Sequence, residues 1–373
     1  MSNKINIEQL DTNNVFFKDA TLVIKKDAIV NNIKSIKKTT GSKIIAVVKE
    51  NGYGLGLANL YNIIKDQDIF MYGVTSLCEA IALRKEGCKT DILMLTAAVD
   101  SDELLELVSY DVVIALGNKK QIPELKKIYE QTGNKPRVHI KIDSGMGRYG
   151  FNVDDIPDFN EYKDFLSIEG CFSHLAGGKN YKKTVEKQVQ IFKQALDKIR
   201  ETGVDTGICH ISNSSATMTF GALGFDAVRV GSAILGKVAV KSDLEVSVWL
   251  ESKVLSIYNR KKGEHIGYGG EAVLKRDSSL AIVRVGTGCG VALMQRGPMD
   301  NTLIGGVKGV IKRLLSVPFM SVQINGKSYH VIGRTGISHL AVDVTDTDVK
   351  EGDVVKLQVN PLLIHPYAER KII

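Results

Sequence analysis

The sequence has no CxxC pair, no apolar run near membrane-span length, no concentrated basic patch and no internal repeat. Each absence closes off a class. Five cysteines (Cys78, Cys88, Cys171, Cys209 and Cys289) lie far apart in apolar surroundings. An odd count without paired spacing reads as reduced core residues, so neither disulfides nor a metal site is expected. A membrane helix needs about 18 consecutive apolar residues, and none occurs. The opening MSNKINIEQLDTNN is too polar for a secretory signal, which sets the expectation of a cytoplasmic protein with no membrane partner. Lys and Arg total 49 against 42 Asp and Glu, but this excess is spread along the chain. Its Lys-Lys pairs read as solvated helix faces, so no nucleic-acid partner is expected. Gly52, Gly54 and Gly56 do not form GxGxxG and no GK[ST] follows them, so dinucleotide and P-loop readings fail. What remains is ordinary globular composition, 44% hydrophobic and 24% charged over 373 residues. That length suits one large domain plus a smaller one, and an enzyme fits it.

Short β-branched runs alternate with amphipathic helical stretches from about residue 25 to about 235. The first helix is expected over 27–39, with Asp27 as N-cap and Ile29, Val30, Ile33 and Ile36 on one face. Eight candidate strands follow: 44–48, 69–74, 91–96, 111–116, 137–143, 167–174, 207–212 and 227–231. Helical patterns such as KQIPELKKIYEQTG lie between them, and no hairpin turn joins one to the next, which argues for parallel pairing. Eight such units match the size of a closed (β/α)8 TIM-type barrel, with an open doubly wound sheet as the alternative. After about residue 245 the texture becomes strand-like, and Asn325-Gly326 is a hairpin turn signal. The expected division is a barrel over 1–245, its first 20 or so residues left open to packing with the C-terminal domain. A smaller, mainly-β C-terminal domain is expected over 246–373.

In such a barrel, chemistry sits at the C-terminal ends of the strands. Strand one ends in Lys49, which either snorkels at the strand end or serves a site. Alternation on strand five puts His139, Lys141 and Asp143 on one face, ahead of Ser144-Gly145-Met146-Gly147-Arg148. Three ionisable groups aimed inward either form a structural ion network or bind something. Strands six and seven end in His174 and His210, with Asn213-Ser214-Ser215 beyond. Strand eight ends Val228-Arg229-Val230-Gly231-Ser232, and Gly-Ser there matches the barrel phosphate site. A phosphate-bearing cofactor that forms a Schiff base with Lys is pyridoxal phosphate. Lys49 suits its aldehyde, Ser214, Gly231 and Ser232 its phosphate, and Arg229 its pyridine nitrogen. Arg cannot accept a proton, so that nitrogen should stay unprotonated, which suits brief α-proton removal.

The segments VVKENGYGLG (47–56), KIDSGMGRYGF (141–151), SHLAGG (173–178), CHISNSSATM (209–218), VRVGSAILG (228–236) and GYGG (267–270) resemble the alanine racemase family. The resemblance spans about residues 20 to 345. It implies a pyridoxal-phosphate-dependent barrel plus β domain, working as a homodimer on an amino-acid substrate. It implies that Lys49 is the Schiff-base lysine and one of two catalytic bases. Tyr53 and Ser214 would hold the phosphate with the Gly231 and Ser232 amides, and Asn213 joins that cofactor-binding set. Lys141 aligns with a lysine that the family carries as a carbamate and would orient Arg148 for the substrate carboxylate. His174 would stack on the cofactor ring and bridge Arg229 to Tyr268, with His210 near Arg229. Tyr268, from the partner subunit, would be the opposite base. A tyrosine ionises near pH ~10 in isolation, so the His174–Arg229 chain must favour its phenolate.

The second domain departs from the family pattern. Gly286-Thr287-Gly288-Cys289-Gly290 stands where the family has GYxDG, and Ile337-Ser338 where it has Met-Asp. Ile337 is therefore placed on the substrate side. The tail VNPLLIHPYAERKII does not match the usual C-terminal segment, so Tyr367 is not carried over. Smaller residues at the entrance raise serine, lysine or ornithine as alternative substrates, with alanine first. Other readings are a catalytically inactive regulator or carrier, and a decarboxylase, against which SHLAGG stands in place of HxGSG.

Overall fold

The computed structural model describes residues 17–98, 100–177, 182–293 and 320–373. Two compact units divide the chain: Lys26–Ser247, and the residues through Lys25 together with Val248–Ile373. The second unit begins with β1 (Phe17–Ile24). The first is built on β2 (Lys43–Val47), β3 (Met71–Val74), β4 (Ile92–Met94), β5 (Val112–Leu116), β6 (Arg137–Lys141), β7 (Ser167–Phe172), β8 (Ile208–His210) and β9 (Ala227–Val230).

These eight strands pair in parallel and in chain order. β2 also pairs with β9, from Lys43↔Ala227 to Ala46↔Val230, which closes the barrel and excludes the open sheet. Parallel strands sandwiched between a barrel interior and an outer helix layer are apolar on both faces. β3, β4, β5 and β9 are accordingly buried throughout. Ile45, Met71, Leu93, Val113 and Ala227 form one apolar cluster across five strands. Apolar spacing of three and four explains the helices. Lys182–Glu201 buries Val185, Phe192, Ala195, Leu196 and Ile199 on one face. The first helix runs Lys26–Thr40 and buries Ile29, Ile33 and Ile36, with Val30 only half-buried. It starts one residue before Asp27, so that carboxylate lies in the first turn, near the positive helix end, rather than at the N-cap.

The second unit is an eight-stranded, mostly antiparallel sheet. It adds β10 (Val248–Arg260), β11 (His265–Ile266), β12 (Ala272–Val273), β13 (Ser278–Val283), β14 (Ser321–Ile324), β15 (Lys327–Ile332), β16 (Leu340–Asp343), β17 (Val354–Leu357) and β18 (Ala368–Ile372). β11 and β12 pair apart from that sheet. The 13-residue β10 pairs with β1 and β17 along its first half and with β13 along its second, so the sheet folds back on itself. Asn325 and Gly326 carry φ of 50 and 77° between β14 and β15, the positive pair that a two-residue hairpin turn requires.

The boundary thus falls at 25/26 and 247/248 rather than at 245/246 alone. The cause is β1, which lies between β10 (antiparallel) and β18 (parallel) and buries Leu22 and Ile24 fully in that sheet. The expected strand ends are also trimmed. The motif residues beyond β6, β7 and β8 leave the ladder and form the loops of the barrel mouth.

Candidate active site

β2 leaves the barrel through a left-handed turn. Glu50, Asn51, Gly52, Tyr53 and Gly54 all have φ between 52 and 83°. For Glu50 and Tyr53 this costs roughly 1–2 kcal/mol each, less for Asn51, so the turn needs outside support. The Glu79 carboxylate accepts the amides of Glu50 and Thr75, the latter at 2.9 Å. Asn51 Oδ1 accepts the Leu57 amide at 2.8 Å. The turn brings Tyr53 against the end of β9, where a Cβ built on Gly231 would lie 2.2 Å from the Tyr53 hydroxyl. Glycine there is what lets the hydroxyl come so close. Burial, with the Glu79 charge, pushes the Tyr53 phenol up to about 12, which keeps it a neutral donor. Ser214 Oγ accepts the amides of Gly231 at 3.1 Å and Ala233 at 3.3 Å. Asn213 caps the helix Ser214–Phe220 through the Ala216 amide and donates to the Leu175 carbonyl, both at 3.1 Å. Ser232 is half-buried next to Gly231. Amides, two hydroxyls and a gap closed to any side chain make a cradle of phosphate chemistry.

Arg229, 3% exposed on β9, is held entirely by neutral acceptors. Nη1 donates to His210 Nδ1 at 2.7 Å and to the His210 carbonyl at 3.1 Å. Nη2 donates to the carbonyls of Ser173 (2.6 Å) and Ile211 (3.2 Å) and to His174 Nδ1 at 3.3 Å. Burial pushes the guanidinium down to about 9, still charged at neutral pH. Burial, then the charges of Arg229, Lys141, Arg148 and Lys49, pushes His174 down to about 2. His174 is therefore neutral, its Nδ1 accepts from Arg229, and its proton sits on Nε2. His210 is held down in the same way, by burial and then by Arg229.

Lys49 is half-buried where β2 ends. Lys141 is 4% exposed, its Nζ lying 4.6 Å above the Phe172 ring, and Arg229 faces the same ring at 5.4 Å. Burial, with Arg229 next, lowers Lys141 well below its ordinary value. Arg148 is exposed and lies over Tyr149 at 5.1 Å. Among the described residues no hydrogen bond joins Arg148 to Lys141, whose Nζ lies 3.4 Å from the Ile142 carbonyl. The Asp143 carboxylate, whose charge acts on Lys141, is occupied: the amides of Gly145, Met146 and Gly147 converge on it at 2.8–3.1 Å. Burial alone would raise it, and those amides hold it net low.

In the second unit, Tyr268 and Ile337 are 67% and 70% exposed and line one cavity of about 750 Å³ with Arg260, His265, Arg334 and His339. The two segments that depart from the family pattern are zipped together. The Thr287 amide donates to the Gly336 carbonyl and the Gly288 amide to the Ile337 carbonyl, both at 2.9 Å. A Cβ on Gly286 would strike the Gly336 oxygen at 2.3 Å, so small residues there set where Ile337 stands. Tyr367, 46% exposed, packs on His365 at 5.2 Å.

A family profile for the alanine racemase N-terminal domain matches residues 24–238, and one for its C-terminal domain matches 247–362. The chain belongs to the alanine racemase family. It is 32% identical to the alanine racemase of Borreliella burgdorferi strain ZS7 over 279 residues, 71% of this chain and 74% of that one. To the alanine racemase of Methanococcus maripaludis it is 30% identical over 347 residues, 89% of this chain and 87% of that one. Its fold superposes on the Clostridium difficile 630 alanine racemase with a TM-score of 0.80 at 24% identity, covering 95% and 96% of the two chains. The Bacillus anthracis alanine racemase with bound L-Ala-P gives 0.77 at 25% identity, with 96% of each chain covered.

The barrel of this family member gathers Lys49, Tyr53, Lys141, His174, His210, Asn213, Ser214, Arg229, Gly231 and Ser232 at one mouth, with Arg148 on its rim. Tyr268 and Ile337 stand together in the other unit. Sequence reasoning missed Glu79, Gly170 and Phe172. Glu79 follows Ser76 by three, a helix-capping spacing that signals the helix start but not its hold on the Glu50 turn. Phe172 precedes the strand-end Ser-His and reads as ordinary core.

Proposed function

We propose that the chain interconverts L- and D-alanine with pyridoxal phosphate, using one base on each face of Cα. The observation that carries this reading is the barrel mouth itself: a lysine, a buried arginine held only by neutral acceptors, and a cradle shaped for phosphate. Tyr53 Oη, Ser214 Oγ and the Gly231 and Ser232 amides would hold the phosphate, with Asn213 fixing the Ser214 helix. Lys49 Nζ would take the aldehyde. Arg229, which can only donate, would face the pyridine nitrogen and keep it unprotonated, while His174 would lie against the ring. Bound pyridoxal phosphate withdraws electrons from Cα and so makes its proton removable.

Inversion requires a proton taken from one face and another delivered to the opposite face. Lys49 Nζ serves one face. The Tyr268 hydroxyl, exposed in the second unit, serves the other as Tyr268 of the partner subunit, which makes the working form a homodimer. With His174 Nδ1 on Arg229, its Nε2–H would be left to donate to that hydroxyl. Arg148 would clamp the substrate carboxylate bidentately, and Ile337 would border its side chain. Lys141, kept as a neutral amine by burial, would attack carbon dioxide through Nζ, forming an N–C bond and releasing a proton to solvent. The resulting carbamate would carry a negative charge to pair with Arg148. A cytoplasmic location belongs to the same reading, supported by five free cysteines. Among the described residues no helix is long and apolar enough to cross a membrane.

The test is a chiral assay of the cofactor-loaded protein on L-alanine, with Lys49→Met and Tyr268→Phe beside it. Wild type should form D-alanine, and each variant should lose at least ~10²-fold in turnover. A mixed population of the two variants should recover about a quarter of wild-type activity, because half the dimers then carry one intact shared site. Absence of recovery would rule out the shared site, and absence of D-alanine the activity.

A further inference from the structure

His139 on β6 is a buried titratable group that the mechanism above leaves without a task. It is 1% exposed, and its Nδ1 lies 3.0 Å from Nε2 of His210, which is fully buried. We propose that His139 is a positioning residue that accepts the Nε2 proton of His210 and so fixes the His210 tautomer whose Nδ1 holds the Arg229 guanidinium.

The direction of each hydrogen bond follows from the donor inventory. A guanidinium only donates, so His210 Nδ1, 2.7 Å from Arg229 Nη1, must be the acceptor. A neutral His210 then carries its proton on Nε2, and the bond to His139 runs from His210 Nε2–H to His139 Nδ1. The reverse direction would leave His210 with a proton on neither nitrogen. A doubly protonated His210 would set an N–H against the guanidinium and add a second charge beside it. Among the described residues no carboxylate bonds to either ring, so the tautomer is held from both sides, by the Arg229 donor on Nδ1 and the His139 acceptor on Nε2.

The seat of His139 is built rather than incidental. It pairs in register with Gly170 on β7, where a Cβ would lie 2.5 Å from His139 Cε1 and 2.7 Å from Nδ1. A side chain at 170 would also meet the Ile208 carbonyl oxygen at 2.6 Å, and since that backbone cannot yield as a ring can, the His139 ring would be displaced from His210. Phe172, two residues on, stacks on His210 at 5.1 Å and 14° and so fixes the plane in which the bond to His139 is made. Without the His139 acceptor, the buried Nε2–H of His210 has no partner. The tautomer then favoured turns a donor toward Arg229 and dislodges it.

The role of Arg229 in turnover rests on the racemase reading, whereas the tautomer can be read without it. The experiment is 15N NMR of the cofactor-loaded protein labelled at histidine, with His210 assigned by its loss in His210→Gln. In wild type His210 should show a protonated Nε2 and a bare Nδ1. His139→Leu should move the proton to Nδ1 and lower kcat for alanine about tenfold or more with KM little changed. His139→Gln, which restores a carbonyl acceptor, should keep the wild-type tautomer and most of kcat. Gly170→Ala should reproduce the Leu result with His139 still present, and it decides the matter if His139→Leu fails to fold. An unchanged His210 tautomer in both His139→Leu and Gly170→Ala would overturn the proposal, as would a Gln variant no better than Leu. A wild type that racemises nothing would overturn the racemase reading and leave the tautomer result to stand by itself.

Discussion

Each end of the barrel holds an arginine, Arg137 a quarter exposed at one and Arg229 buried at the other, and they are treated oppositely. At the N-terminal end, Arg137 at the start of β6 meets three carboxylates. Its Nε and Nη2 fork onto Glu169 at 2.8 and 2.9 Å, and Nη1 reaches Asp91 at 2.8 Å and Asp111 at 3.1 Å. The hydrogen bonds it donates to Glu169 and then to Asp91 raise its pKa further above the ordinary value. At the C-terminal end, Arg229 has five acceptors and none carries charge. The first arginine is neutralised and tethers four strand starts. The second is left cationic beside Lys141 and near Lys49, with the adjacent Asp143 spent on its own loop. A cation left unpaired in a buried place is what a binding site looks like, whereas one ringed by carboxylates is a fastener.

That contrast breaks cleanly if the two arginines are changed in turn. Arg229→Gln removes a charge that burial already disfavours, so lost carbonyl bonds are partly offset, while turnover should fall at least ~10²-fold. Arg137→Met should do the reverse: it strands three carboxylates together and should lower stability by about 2 kcal/mol, with kcat within about threefold of wild type. Urea unfolding alongside the alanine assay checks both. If Arg137→Met lost turnover as heavily as Arg229→Gln, the division of labour between the two ends would be wrong.

Acid should sharpen the comparison, because the neutral histidines cluster toward the mouth. Burial holds His139 down to about 3 and His174 to about 2, against about 6.5 in an unfolded chain. Between those values the unfolded state binds protons that the native state refuses, so stability rises with pH across that window. It is therefore intact above about pH 6.5 and is lost as the pH falls toward 3, by up to about 1.4 kcal/mol per pH unit for each histidine. Urea midpoints from pH 7 to pH 4 should show this fall, and His139→Gln should flatten it. A slope unchanged by that substitution would mean that His139 already shares a proton in the native state.

Why the barrel was readable and other features were not comes down to the range of the causes. Each βα unit announces itself locally, through a β-branched run, a capping residue and three-four apolar spacing, and the proposed phosphate cradle is suggested by the Gly-Ser that ends strand eight. β1 gives no such clue, since its partners β10 and β18 lie more than 200 residues on, and its alternation fits any half-buried edge. The left-handed turn after Lys49 contains Glu50, Asn51 and Tyr53 at positive φ, conformations that residue type argues against and that Glu79 sustains from another helix. The His139–His210 bond spans 71 residues. Alternation placed His139 on the inward face, but only closure of the barrel puts a second histidine opposite it. Tyr268 is the extreme case: GYGG by itself reads as a turn, and family resemblance alone marks the hydroxyl.

The smallest expected effect lies farthest from either arginine, in the second unit's hairpin. Gly326 sits at φ 77° with no atom within 4 Å of a built Cβ, so alanine there meets no clash and only the backbone penalty. That penalty should be about 1 kcal/mol, because a side chain makes the left-handed conformation unfavourable. Asn325, at φ 50°, anchors the same turn by donating to Asp353 at 2.9 Å, which keeps the strand register while the strain is borne. Gly326→Ala should therefore lower the urea midpoint of the protein slightly and leave kcat and KM for alanine unchanged. A change in KM would show that the hairpin's geometry is transmitted through β15 to the Gly333–Ser338 stretch beside Tyr268. The second unit would then act as one rigid frame for that tyrosine rather than as a scaffold with independent edges.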